Sequence, residues 1–140
     1  MASDLKKAFD RLSEVLTWAP PQALEEVAQF AIHIITLRTR KGLDADGSPF
    51  KPYVKKYAQW RKRKKLRTAP PDLTVTGHML GSIVSSVTEN GISLEFSSPK
   101  ELAKAIGNSH TRDFFDIRRD VELDAITDMI GDALLEEILK

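Results

Sequence analysis

At 140 residues, 41% of them hydrophobic and 29% charged, the chain is long enough for one domain that buries roughly two-thirds of its unfolded surface, and too rich in Leu, Ile, Val and Phe for a disordered tail. It has no cysteine, which excludes a disulfide framework and a thiolate zinc site. The net charge of +1 hides a polar distribution: Lys51 to Arg67 holds nine basic residues in seventeen positions and no acidic one, against twelve basic and twenty acidic residues elsewhere.

Ser3 is placed to cap a first amphipathic helix from Asp4 to about Leu16, in which Leu5, Ala8, Phe9, Leu12, Val15 and Leu16 recur at helical spacing. Pro20-Pro21 breaks the chain and opens a second helix, because proline costs nothing in a first turn whose N–H groups are unpaired anyway. That helix is predicted to run to about Thr39. Leu24, Val27, Ala28, Phe30, Ala31, Ile32, Ile34, Ile35 and Leu37 make it apolar around most of its circumference, so it is the expected central helix or an oligomer contact. Gln29, His33 and Thr36 interrupt the apolar run, so it does not read as a membrane span. No signal-peptide pattern is present, and a chain made and folded in a cytoplasm is expected. His33 reads as a hydrogen-bonded core or interface residue, and none of the three histidines, His33, His78 and His110, reads as catalytic.

Gly, Asp and Pro crowd residues 42–52, predicting an exposed, structured, non-helical loop over about 41–53. Tyr53 to about Lys65 reads as a basic helix anchored by Tyr53, Tyr57 and Trp60 with most of its cations facing out. Ala69-Pro70-Pro71-Asp72 ends that unit. Leu73-Thr74-Val75-Thr76 reads as a strand-like tetrad, and Thr76 as the cap of a short turn of helix over Gly77–Ser82. Ile83–Thr88 and Ile92–Ser97 flank Glu89-Asn90-Gly91, and Asn-Gly is a strong hairpin signal. Pro99 begins a short helix to about Ile106, and Arg112–Ile117 is a candidate further strand. The last helix, Asp120–Lys140, pairs an apolar stripe (Ile126, Met129, Ile130, Ala133, Leu134, Ile138) with an acidic face. The fold class expected is α+β, a single domain over 1–140, with helices packed on a small antiparallel sheet and a long C-terminal helix.

The chain carries no H-E-x-x-H, Walker, G-x-S-x-G or zinc deaminase pattern, which weighs against an enzyme. Asp44 and Asp46 flank a turn but lack the remaining ligands of a calcium loop, so a turn held by Asp side chains with Gly47 at positive φ is preferred over a metal-dependent hydrolase. The cations Lys51, Lys55, Lys56, Arg61, Lys62, Arg63, Lys64, Lys65 and Arg67 admit three readings: a solvated helix face, a dock for an acidic protein surface such as the last helix of another copy, or a phosphate-binding strip with stacking aromatics.

Arg38-Thr39, Gly42, Asp46-Gly47-x-Pro49-Phe50-x-Pro52-Tyr53, Tyr57-Ala58-x-Trp60 and Asp72-Leu73-Thr74-x-Thr76-Gly77-x-Met79-Leu80-x-Ser82-Ile83 follow in an order and spacing that resembles the phage virion morphogenesis family of tail completion proteins, within the wider group of tailed-phage neck and tail terminator proteins. The likeness covers about residues 25–117. It implies a non-enzymatic virion protein without cofactor or metal, assembled in the host cytoplasm. Such a protein is expected to form a ring, sixfold in the first instance, that caps the tail and joins it to the head. Partners implied are the neck, connector and tail tube proteins, with genome DNA passing through the lumen. Asp46, Gly47, Pro49, Phe50, Pro52, Tyr53, Thr76, Met79 and Leu80 become the implied contacts to a neighbouring subunit or ring, and the basic run faces either DNA or an acidic partner. A small nucleic-acid-binding protein is the alternative.

Overall fold

The computed structural model describes residues 21–88, 91–117 and 121–138. The predicted first helix and the Asn90 turn residue fall outside them. In chain order the elements are α1 (Pro21–Arg40), α2 (Lys55–Arg63), α3 (His78–Gly81), β1 (Ile83–Thr88), β2 (Gly91–Phe96), α4 (Pro99–Ser109) and α5 (Val121–Ile138). This is the expected α+β class, with several helices around one small antiparallel sheet.

Helix α1 is the axis of the domain. Leu24, Val27, Ala28, Ala31 and Ile35 recur every three or four positions and are all buried, so one stripe meets the core. The helix packs against α5 on one side and both strands on another, which explains an apolar circumference wider than a single stripe. His33 is exposed in the single chain and so is not a core residue, because Ala31 and Ile35, two positions away on each side, turn the buried stripe to the opposite face of the helix.

Strands β1 and β2 pair antiparallel from Ile83↔Phe96 to Thr88↔Gly91. A lone two-stranded ribbon is marginal in water, and this one is held by α1 and α4. Alternation along β1 aims Ile83 inward and exposes Val84 and Ser86. Ser85 Oγ donates to Glu25 Oε1 at 2.6 Å, and Gln29 Nε2 donates to the same oxygen. These hydrogen bonds from Ser85 and Gln29 hold the Glu25 carboxyl below the usual carboxylate range. The sign follows: this tie supports folding above the ordinary carboxylate pKa and is lost as pH falls through the lowered value.

Two sequence expectations fail for one reason. Arg112–Ile117 is not a strand, and neither is Leu73–Thr76. Arg38 Nη2 takes the carbonyls of Phe114 and Asp116, at 2.6 and 2.7 Å, and Ala45 N–H takes that of Asp113. In the second segment Leu73 sits at φ +53, its N–H donates to Tyr53 Oη, and the Thr74 carbonyl accepts from Arg61. Side chains satisfy these backbones, so no ladder partner is needed.

The loop after α1 is structured and non-helical, as the sequence suggests, but part of it is buried. Asp44 Oδ1 accepts from the N–H groups of Asp46 and Ser48, both at 2.9 Å, and Gly47 takes φ +82; the Asp side chains shape the turn, as expected. Leu43 and Pro49 form an antiparallel bridge, Phe50 N–H closes onto the Gly42 carbonyl at 2.8 Å, and Phe50 and Ala45 are buried. The expected exposed loop over 41–53 is therefore a folded flap in which the tip, Asp46, Ser48 and Pro49, stays exposed.

Gly42 ends α1 at φ +81, and a Cβ there would stand 2.5 Å from Pro70 Cβ. Gly42→Ala is expected to cost about 1–3 kcal/mol from the strained φ and the clash. Gly131→Ala, in α5 with open space around it, is expected to be neutral or to stabilise by up to about 1 kcal/mol. Urea unfolding of the two variants beside the parent chain tests the contrast.

Candidate functional site

The most built-up surface lies where the flap returns into α2. Proline at 49 and 52 keeps the intervening chain extended, Phe50 plugs the core, and the next two carbonyls, Lys51 and Pro52, accept from Arg112 Nε and Nη2 at 2.8 and 3.0 Å. Tyr53 then lies under two guanidinium groups, Arg61 at 4.8 Å and Arg112 at 4.9 Å from the ring centroid. Each contact is a cation–π attraction to an electron-rich ring. Tyr57 meets Tyr53, in the extended chain before α2, edge-on at 5.0 Å, and stacks on Trp60 at 5.6 Å, because residues three apart on a helix share a side. Burial pushes the Tyr53 phenol above its usual pKa despite the nearby Arg61, so its oxygen remains a neutral acceptor for Leu73 N–H.

Arg61 organises the segment that follows. It is 1% exposed; its Nε donates to the Arg67 carbonyl at 2.7 Å, and its Nη2 to Asp72 Oδ1 and the Thr74 carbonyl, each at 2.8 Å. Arg67 in turn donates to the Pro70 and Arg40 carbonyls and stands 3.7 Å from Asp72 Oδ2. The nine-residue basic run is thus two populations. Arg61 and Arg67 hold the chain together, while Lys51, Lys55, Lys56, Lys62, Arg63, Lys64 and Lys65 are exposed and, among the described residues, form no salt bridge. Arg61, expected as a partner contact, is a buried strut instead, and its planar fork of five donors reaches a carboxylate and two carbonyls in different directions.

The implied contact residues divide in the same way. Phe50, Met79 and Leu80 are 4, 6 and 2% exposed and belong to the core, so their apolar side chains stabilise this subunit and are not a docking surface. Asp46, Pro49, Pro52 and Thr76 are exposed, and Gly47 and Tyr53 are half-buried. Thr76 is not the cap of α3: Gly77 holds that position at φ +87 with no side-chain cap bond, and Thr76 Oγ1, one residue earlier, accepts from His78 N–H at 3.3 Å and shapes the turn into the helix.

Between these pieces lies a cleft of about 500 Å³. One wall is Lys51 to Val54 with Tyr57, another is Val75 to Met79, and the third comes from Lys104, Asn108 and Arg112. Lys51, Lys104 and Arg112 line it, with His78, and no described lining residue is acidic. Val54, Tyr57 and Val75 on its walls are 70, 37 and 47% exposed, a concentration of large apolar side chains left in water. Lys104 and Asn108 carry no local motif; they reach the cleft only because α4 packs on α3.

No protein-family model, curated protein or solved structure matches the chain.

Removing Arg61 takes the guanidinium donor from two carbonyls and the nearest cation from Asp72, which keeps only Thr74 N–H and the more distant Arg67. Arg61→Ala is expected to destabilise by about 3–5 kcal/mol, with Arg61→Lys recovering only part because an ammonium lacks the planar fork. Lys62→Ala, on the adjoining exposed position, is expected to stay within about 0.5 kcal/mol of the parent. Guanidinium titrations of the three variants decide; equal effects at 61 and 62 would refute the division into two populations.

Proposed function

We propose that the chain is a structural virion protein of a tailed phage, acting at the head-to-tail junction as a tail completion or tail terminator protein. It works by assembling into a ring, sixfold in the first instance, and not by turning over a substrate. The observation that supports this reading is the cleft. Pieces of the sequence resemblance that stand more than twenty positions apart, Pro52-Tyr53 and Thr76-Gly77, line one concave surface with apolar and cationic walls. Residues spaced so far apart and converging on an exposed surface are what a docking module requires. The flap tip, with Asp46 and Pro49 exposed, supplies a second projecting contact. Neighbouring neck, connector and tail tube proteins are the partners, and genome DNA passes through the ring.

Purified tails or virions of the source phage, probed with an antibody to the chain, are expected to label at the head-proximal end of the tail. Particles that contain no copy of the chain would end the reading. A nucleic-acid-binding protein is favoured by one observation, the seven exposed cations that form no salt bridge among the described residues. On that reading duplex DNA is retained by the isolated chain, and affinity falls roughly a thousandfold between about 50 and 200 mM salt, as expected when several phosphates are neutralised. Failure to retard duplex DNA at the lower salt eliminates it.

A further inference from the structure

Helix α5 carries six acidic residues and no basic one between Val121 and Ile138. Glu122 is spent on Arg38, a buried residue. Asp124, Asp128 and Asp132 are different: they are exposed and form no salt bridge among the described residues. Spaced four apart, they fall on one side of the helix and span about 12 Å at 1.5 Å per residue. Val121, three residues before Asp124, heads the same side and is 65% exposed.

The cleft and α2 present the opposite pattern. Val54 and Val75 offer exposed apolar wall, and beside them Lys55 and Lys62, like Lys56 and Arg63, repeat seven apart along α2, about 10 Å. An apolar head followed by three carboxylates thus faces, in length and in charge, an apolar cleft followed by rows of cations. Within one chain these surfaces do not meet, since α5 packs on α1 and no described residue of α5 lines the cleft.

From this complementarity we infer that the basic cleft takes the acidic face of α5 from a second copy of the chain. The two patches are different surfaces of one molecule, so the contact is heterologous, and each subunit that accepts an α5 still offers its own. Repetition closes into a ring when the rotation permits. Like charges across such a contact are repelled, so every copy enters in the same sense. The inference rests on the ring reading proposed above and gives that ring its interface.

Charge reversal tests it. A variant carrying Lys55→Glu, Lys56→Glu and Arg63→Glu has two acidic faces; a variant carrying Asp124→Lys, Asp128→Lys and Asp132→Lys has two basic ones. All six positions are exposed, and circular dichroism melts establish that each variant folds; single Lys55→Gln and Asp128→Asn variants serve if a triple does not. Sedimentation velocity at low salt is expected to show oligomers for the parent chain and monomers for each triple variant. An equimolar mixture of the two is expected to recover assembly, because each face again meets its opposite. The neutral single variants are expected to weaken association several-fold, and salt to weaken it in the parent. A monomeric parent at high concentration, assembly untouched by either reversal, or a mixture that stays monomeric would overturn the inference. So would a basic-face reversal that abolishes duplex DNA binding and leaves oligomers intact. Labelling of purified tails is independent of these results: tails that contain the chain while the mixture fails to assemble remove this interface and leave the virion assignment standing.

Discussion

Backbone carbonyls that no helix or strand ladder uses need other donors, and this domain finds many of them in arginine. With two six-residue strands and long irregular stretches between helices, it has few ladders to absorb peptide groups. Arg38, Arg61, Arg67 and Arg112 each take two carbonyls, eight in all. An unpaired buried peptide group costs about as much as a lost hydrogen bond, so Arg38 and Arg61, whose bonds are buried or partly buried, do for the irregular segments what a sheet does elsewhere, while Arg67 and Arg112 add exposed ties. The arrangement also fixes geometry. Arg38 ties α1 to the 112–117 segment and to α5, while Arg61 ties α2 to the Pro-rich chain that leads to α3.

The same constraint explains how a weakly charged protein comes to have strongly charged surfaces. Acidic side chains that neutralise structural arginines, Asp72 and Glu122, are withdrawn from the exterior together with their partners. Two groupings stand out among the exposed charges: lysines along α2 and the cleft, and aspartates along α5. Exposed single charges contribute little to folding. Their grouping matters for encounter, where a field of one sign steers partners and selects among them.

Local signals in the sequence located the central helix, the two paired strands and the short helices, because proline and apolar periodicity act within a few residues. Segments 73–76 and 112–117 were not legible. Both have extended, apolar-rich composition, and what decides their backbone is an arginine that lies 13 residues away for Thr74 and 76 for Phe114. The split within the basic run was equally hidden, since Arg61 and Arg63 are the same residue type in the same neighbourhood. A faint signal does exist: Arg61 follows Tyr57 by four positions and Tyr53 by eight, which puts it on the aromatic side of α2. The cleft was legible only in part. Its Tyr53 and Thr76 walls belong to a recognisable pattern, whereas Lys104 and Asn108 arrive through packing alone.

The flap has a consequence for association. Its turn is closed by Asp44, its stem by the Leu43–Pro49 bridge, and its base by Phe50 in the core. A projecting loop is ordinarily a liability in binding, because immobilising it opposes the gain from contact. Here that loss of freedom is incurred during folding and not at the encounter. Asp46 and Pro49 are presented on a preorganised tip, so a partner that met them would not have to order the loop.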